Sequence, residues 1–282
     1  MSNIRYFCIR GFMKSGTNWL GSLINSHESI SVTGEYHWQR VAKPFNEMVG
    51  KHSLFEEAGC TQYVRDEFVE FVKRIMRHNA EPNALLVGDR TPTTLHPVII
   101  KDAPSVSIIR DGRDVLVSRV FHLYNTENRH RMFERFPAMK RDLERFRENP
   151  FYFKENPESL LRHGAMVRES VRKWRNHLES DRATVEKQPN LKVKFVRYED
   201  LHVDTEAVRK ALFEFLEVNP KRAAKLHGVL KPGFKQERPD AFLRKGAVGD
   251  WKNYFTDKAR KWFKEEAGEE LIRQGYESSP DW

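Results

Sequence analysis

The sequence predicts an α/β fold of three layers, a central and mainly parallel sheet with helices on both faces. Three observations predict it. Short apolar runs at 4–10, 85–87, 105–109 and 191–197 read as strands. Longer stretches between them, at 61–80, 115–124, 166–180 and 204–217, carry apolar residues at helical spacing. Two of the strands, 4–10 and 105–109, feed straight into a turn that opens a helix. Strands separated by helices pair in parallel, and ligands then belong beyond the carboxyl ends of the strands. At 282 residues the chain is long enough to form one large domain, 1–282.

Taken in order, Ile4 to Arg10 forms the first strand, and Gly11 to Leu20 (GFMKSGTNWL) forms a tight turn and a helix start. Trp19, Leu20, Leu23 and Ile24 then recur at helical spacing. Ser29 to Gly34 is a short strand or loop ending in Gly34-Glu35-Tyr36-His37-Trp38. Residues 39–60 contain Pro44, Gly50 and Gly59 and read as a loop with helical pieces. The helix at 61–80 turns Tyr63, Val64, Phe68, Phe71, Val72, Ile75 and Met76 to one side. A strand at 85–87 leads to Gly88-Asp89-Arg90-Thr91-Pro92, and the strand at 105–109 ends at Arg110-Asp111-Gly112-Arg113-Asp114. The strongly charged stretch 125–165, with Pro137, Pro150 and Pro157, reads as a helical excursion over the site, a substrate lid. A strand at 191–197 ends in Tyr198-Glu199-Asp200-Leu201, a short helix is expected from Pro220 to Leu230, and a last helix runs from Asp257 to about Gln274.

Hydrophobic residues make up 39% of the chain and aromatics 12%, enough for a sizeable core. Net charge is +9, from 49 basic and 40 acidic residues, which favours anionic partners. The charge is spread along the chain, so it reads as solvated surface rather than a nucleic-acid face. Two cysteines, Cys8 and Cys60, make neither a disulfide framework nor a metal site. No basic segment precedes an apolar run at the N-terminus, and no apolar stretch approaches about 20 residues. These features predict a cytoplasmic protein with no signal peptide and no membrane span.

The chemistry concentrates in three turns. In the first, a strand feeds a glycine-containing turn onto a helix N-terminus, where free N–H groups and the helix dipole favour an anion. Lys14 adds a full charge, and Ser15, Thr17 and Asn18 suit the first turn. Gly11 and Gly16 have the separation of a GxxxxGK[ST] loop, but Thr17 stands where that loop needs lysine. This argues against an ordinary nucleoside triphosphatase. In the second, Arg110 closes a buried strand and Ser118 follows two turns into the next helix, a pairing suited to a phosphate dianion. Arg113, Asp111 and Asp114 read as an ion-pair cluster. In the third, Arg244-Lys245-Gly246 precedes Gly249-Asp250-Trp251-Lys252, a loop able to wrap a phosphate with side chains and backbone N–H groups.

Together these turns resemble the sulfotransferase family that uses 3'-phosphoadenosine-5'-phosphosulfate (PAPS). MKSGTNWL at 13–20 is similar to the family's 5'-phosphosulfate loop, PKSGTTWL. IRDGRDVLVS at 109–118 resembles its 3'-phosphate strand and helix, VRDGRDVAVS, and RKGAVGDWKNYFT at 244–256 resembles the loop RKGxxGDWKNxFT of cytosolic members. The resemblance implies a P-loop-like fold and, residue by residue, a division of roles. Lys14 would hold the oxygen bridging phosphate and sulfuryl group. The N–H groups of Ser15, Gly16, Thr17 and Asn18, with the Thr17 hydroxyl, would hold the 5'-phosphate. Trp19 would stack on adenine, with Tyr198 nearby and Phe234 closing the other face. Arg110, Ser118, Arg244, Lys245 and Gly246 would bind the 3'-phosphate. The product would be adenosine 3',5'-bisphosphate (PAP), and no metal is called for.

The acceptor, a small hydroxylated molecule such as a lipid, phenol or sugar and less readily an amine, must lose a proton. Small-molecule members carry a histidine base in a segment resembling KTHLP. This chain has GDRTPTTLHP at 88–97 instead, closer to tyrosyl-protein and carbohydrate sulfotransferases, whose glutamate base follows the first helix. The resemblance therefore points to Glu35 as base, with His96 and His37 as alternatives, and to Arg90 in the place of a lysine facing the sulfuryl group. Lys252 and Thr256 begin the family's dimer motif KxxxTVxxxE, but Asp257 replaces the valine, leaving monomer and homodimer both open. Two rival readings remain at this level, a P-loop kinase-like phosphotransferase and a non-enzymatic polyanion binder.

Overall fold

The computed structural model describes residues 4–126, 132–233, 237–241 and 244–282. Its strands are β1 (Arg5–Gly11), β2 (Ile30–Thr33), β3 (Leu86–Arg90), β4 (Ser105–Ile109) and β5 (Val193–Arg197). Its α-helices are α1 (Thr17–Ile24), α2 (Gln39–Lys51), α3 (Ser53–Glu57), α4 (Thr61–His78), α5 (Gly112–Asn125), α6 (Met132–Arg135), α7 (Lys140–Glu148), α8 (Tyr152–Glu155), α9 (Gly164–Lys187), α10 (Tyr198–Val203), α11 (Thr205–Phe215) and α12 (Asp257–Arg273). The strand order is β2-β3-β1-β4-β5, and every pairing is parallel. The chain leaves the central β1 for one side of the sheet and later crosses to the other. Such a reversal of strand order is where open α/β sheets bind ligands.

The chain forms two compact units. One holds the chain up to Phe12, Gly16–Ile109 and Glu179–Lys231; the other holds Met13–Ser15, Arg110–Leu178 and Pro232–Trp282. The first contains the sheet, and alternation along its strands builds the layers. Phe7 and Ile9 of β1 and Leu86 of β3 enter one apolar cluster with Leu20, Leu23 and Ile24 of α1 and Leu212 and Phe213 of α11. The intervening Tyr6 and Val87 enter another, with Val72 and Met76 of α4. Phe7 lies over its register partner Gly88, where a Cβ would come within 2.3 Å of the ring.

Two segments differ from expectation. Residues 39–60 are largely helical, in α2 and α3, despite Pro44. Ala42 and Val49, two helical turns apart, are both buried, and Phe45 stacks on Phe68 of α4 at 4.5 Å. That packing outweighs the one backbone bond proline removes. The helix expected at 220–230 is instead two 3₁₀ turns, Pro220–Arg222 and Gly228–Leu230. Gly228 takes φ 52°, and between the two turns the Ala224 N–H donates to the Ser26 carbonyl of the α1–β2 connection instead of continuing a helix.

In the second unit α5 is buried along most of its length. Gly112 lets Trp174 of α9 lie directly on its backbone, since a Cβ there would come within 2.7 Å of the indole. Phe121 and Tyr124 of α5 pack against Phe133 of α6, Phe146 of α7 and Phe153 of α8. The described part of the 125–165 excursion is thus anchored by aromatic side chains at intervals along it.

Candidate active site

The turn after β1 is shared, with Met13–Ser15 in the second unit and Gly16 onward in the first. Its start is shaped by Gly11, whose φ of 143° and close approach to the Ile108 carbonyl exclude any Cβ. Lys14 adopts φ 71° without being glycine, a conformation that persists only where surrounding contacts impose it.

In the first unit, Gly16 (φ 102°) presses against the ring of Tyr198, where a Cβ would come within 2.6 Å. Helix α1 then begins at Thr17 with no side-chain cap and no acidic residue in its first turn, so its N–H groups and positive end lack a counter-charge of their own. Thr17 is buried, and Asn18 Oδ1 is buried with no hydrogen-bond partner among the described residues. The half-buried Trp19 donates from Nε1 to the Leu230 carbonyl at 3.1 Å and meets Tyr198 and His202 edge-on, at 5.6 and 5.1 Å. His202 was absent from the sequence reading. Its place four residues after Tyr198, on the same face of α10, is the signal that would have found it.

Glu35 lies two residues beyond β2 and Arg90 is the last residue of β3. Arg90 Nη1 donates to Glu35 Oε1 at 3.3 Å, and His37 Nε2 lies 3.6 Å from Glu35 Oε2. Arg90 reaches this position across Gly21 of α1, where a Cβ would stand 2.6 Å from Arg90 Cδ. Below them β1 and β3 are locked by a buried ion pair, Arg10 to Asp89 at 2.8 Å, and Thr91 Oγ1 donates to Asp89 at 2.7 Å. His96 is exposed on the β3–β4 connection.

In the second unit, burial, followed by the charges of Arg110 and Arg244, lowers the Lys14 amine to about 8. Arg110 is buried and donates to the carbonyls of Lys14 (3.1 Å) and Ala247 (2.7 Å). Arg244 pairs with Glu237 and Asp250 and lies over the Phe121 ring at 4.3 Å. Lys245 donates to Asp250 at 2.6 Å, and Gly246 turns the loop with φ 63°. Ser118 is the half-buried exception along an otherwise buried stretch of α5. Ser15 Oγ is buried and has no hydrogen-bond partner among the described residues. Phe234 lies outside the described residues.

Asp114 does more than the ion pairing expected of it. Its carboxylate accepts the N–H groups of Gly249 (2.7 Å) and Trp251 (2.8 Å), while Arg110 stands 3.8 Å away. It therefore latches the 244–251 loop to α5. Burial raises its pKa, and Arg110 with the two N–H donors works against that rise. Arg113 and Asp111 form the expected pair at 2.7 Å, and Arg113 is further held between Trp251 (4.0 Å) and Trp282 (4.6 Å). The residues missed from sequence, Arg10, Gly21, Asp89 and the latch function of Asp114, all act through partners distant in the chain.

An uncapped helix start after the central strand of a parallel sheet, joined to a turn with a half-buried lysine, is the anion-binding signature of a P-loop-like α/β enzyme. The chain belongs to the sulfotransferase domain family, whose family model, Sulfotransferase domain, matches residues 6–274. It is 23% identical over 277 residues to Sulfotransferase 1E1 of Mus musculus, covering 91% of this chain and 80% of that protein. It is 24% identical over 216 residues to the Amine sulfotransferase of Oryctolagus cuniculus, covering 68% and 63% respectively. Its fold is similar to that of mouse sulfotransferase SULT7A1, solved in complex with PAP, with a TM-score of 0.53, 21% identity, and coverage of 96% of this chain and 85% of that one.

Proposed function

We propose that this sulfotransferase takes its sulfuryl group from PAPS and delivers it to a hydroxyl acceptor, the whole chain acting as one sulfotransferase domain. The observation that carries the reading is the half-buried Lys14, whose charge is opposed by desolvation and by Arg110 and Arg244 until an anion offsets all three. The residues fit such a donor. Ser15 Oγ and Asn18 Oδ1 are buried without a partner among the described residues, α1 offers an uncapped N-terminus, and Trp19 presents a half-buried ring.

PAPS, when bound, supplies a sulfuryl group on a phosphate leaving group. Lys14 places its ammonium at the oxygen on which negative charge grows, an interaction stronger in the transition state than before it. Ser15 to Asn18 hold the 5'-phosphate with backbone N–H groups and the Thr17 hydroxyl. Arg110, Ser118, Arg244, Lys245 and Gly246 hold the 3'-phosphate, with Asp114 and Asp250 keeping the loop and its cations in place. Trp19, backed by Tyr198 and His202, carries the base, and Phe234 is assigned its other face by resemblance. Glu35 accepts the acceptor's proton. Its carboxylate is held by Arg90 and His37, which favours it over His96. The free thiols Cys8 and Cys60 accord with a cytoplasmic setting.

Calorimetric titration with PAP, with ADP as control, tests the reading. PAP is expected to bind at least tenfold more tightly. Equal binding of the two, or magnesium-dependent phosphoryl transfer from ATP, would remove the assignment.

A further inference from the structure

A cleft of about 350 Å³ opens in the first unit on the outer side of the edge strand β2, directly beside Glu35. Its walls include Asn25, Thr33, Glu35, Tyr36, Asn79 and Glu81. Val32 is the one aliphatic side chain among the lining residues. The polar groups are set by the fold. Asn25 Oδ1 accepts the Val32 N–H at 2.7 Å, which turns its NH₂ group away from the strand. Asn79 is joined to the Tyr36 hydroxyl at 2.9 Å, and the Glu81 N–H is held by Ser31 Oγ at 3.1 Å. Glu81 is exposed and takes part in these bonds through its backbone, so its carboxylate is not engaged by them. Tyr36 is itself fixed, stacked on Trp38 with ring centres 5.2 Å apart and planes 19° from parallel.

Such walls discriminate between acceptor classes. A steroid or an alkyl chain gains by burying apolar surface against apolar surface. Here it would cover amides and carboxylates without returning their hydrogen bonds, which is unfavourable. A ring carrying several hydroxyls exchanges its water hydrogen bonds for those of Asn25, Asn79 and Glu81 and can lay a C–H face on Tyr36. From this we propose that the cleft is the acceptor subsite and that the acceptor is polyhydroxylated, a saccharide or glycoside, one of whose hydroxyls meets Glu35. This rests on the function proposed above. As the hydroxyl oxygen bonds to sulfur, its proton passes to the Glu35 carboxylate. The bond from sulfur to the phosphate oxygen breaks with its electron pair left on that oxygen, giving a sulfate ester and PAP.

The test is an acceptor panel with PAPS: a methyl hexopyranoside, 4-nitrophenol, a steroid alcohol and octanol, assayed with the native enzyme, Asn79→Ala and Glu81→Ala. The glycoside is expected to have the highest kcat/KM. Each substitution is expected to raise its KM about five- to tenfold with kcat little changed, and so to lower the ratio of glycoside to phenol activity. Glu81→Ala, whose described bonds are through the backbone, guards against misfolding of the other variant. A phenol, steroid or alkanol preferred over the glycoside, or a glycoside KM indifferent to both substitutions, overturns the proposal. PAP calorimetry is run in parallel: loss of PAP binding in the native enzyme overturns the underlying reading, and this proposal with it.

Discussion

Lys14 should take up a proton when the nucleotide binds. In the free protein its amine sits at about 8, down from 10.5, through burial and the charges of Arg110 and Arg244. A bound polyanion removes the reason for that depression and returns the amine toward its ordinary range. The gap of about 2.5 units corresponds to about 3 kcal/mol of coupling between protonation and binding. The sign follows from the direction of the shift, since the complex favours protonated Lys14 and affinity must fall as pH rises above the free value. At pH 8 binding should draw in about half a proton, at pH 7 about a tenth, and above about pH 8.5 the affinity should drop close to tenfold per pH unit. Calorimetry of PAP binding in buffers of different ionisation enthalpy measures the uptake directly, and the phosphates of PAP are already dianionic at pH 8. In Lys14→Arg, a group that stays charged, the uptake should vanish. No proton uptake at pH 8 in the native protein, or the same uptake in Lys14→Arg, would refute the placement of a half-buried, electrostatically stressed lysine in this turn.

Glu35→Gln should lower kcat by about 10²–10⁴ while PAP affinity changes little, as expected for loss of a general base; a variant with native turnover would move that role to His37 or His96. Asp114→Ala leaves the Gly249 and Trp251 N–H groups without their acceptor and should destabilise the protein by about 2–4 kcal/mol, seen as a fall in Tm, with PAP binding weakened in step. Unchanged PAP affinity would mean that the loop needs no latch. Gly21→Ala sets a methyl group where Arg90 Cδ now lies, and the flexible arginine must swing from Glu35. We expect kcat to fall about ten- to a hundredfold with a small change in stability, which thermal melting and steady-state kinetics separate.

The parallel sheet was legible because its strands are short apolar runs that lead into helical periodicity, and Phe7, Ile9 and Leu86 do fill the core. The segment 39–60 was not, because Pro44 and two glycines speak locally for a loop while the decisive contacts, such as Phe45 on Phe68, come from another helix. The helix expected at 220–230 is split into two 3₁₀ turns for a related reason, since the Ala224 N–H between them bonds to the Ser26 carbonyl of the α1–β2 connection. Within the candidate site, Lys14, Arg110 and Arg244 were readable one by one, with separate phosphate roles implied by resemblance, whereas the pressure of both arginine charges on the Lys14 amine was not foreseen. Asp114 was assigned an ion pair because Arg110 and Arg113 are its neighbours in sequence. Its closest partners are N–H groups 135 and 137 residues away.

What the sequence determined by itself is the chemistry of anion capture: a glycine-bounded turn, a lysine within it, a helix start, an arginine closing a strand and a basic loop. Each is complete within about ten residues, because a turn and a helix end bring their own N–H groups and charges to bear locally. Tertiary structure alone decided what holds and aims that chemistry. Strand order sets Arg90 against Glu35, 55 residues apart, and the missing side chain of Gly21 opens the path between them. Burial brings Lys14 down toward neutrality. These depend on which backbones approach closely and on how far water is excluded, quantities that exist only once the sheet and its helices have packed.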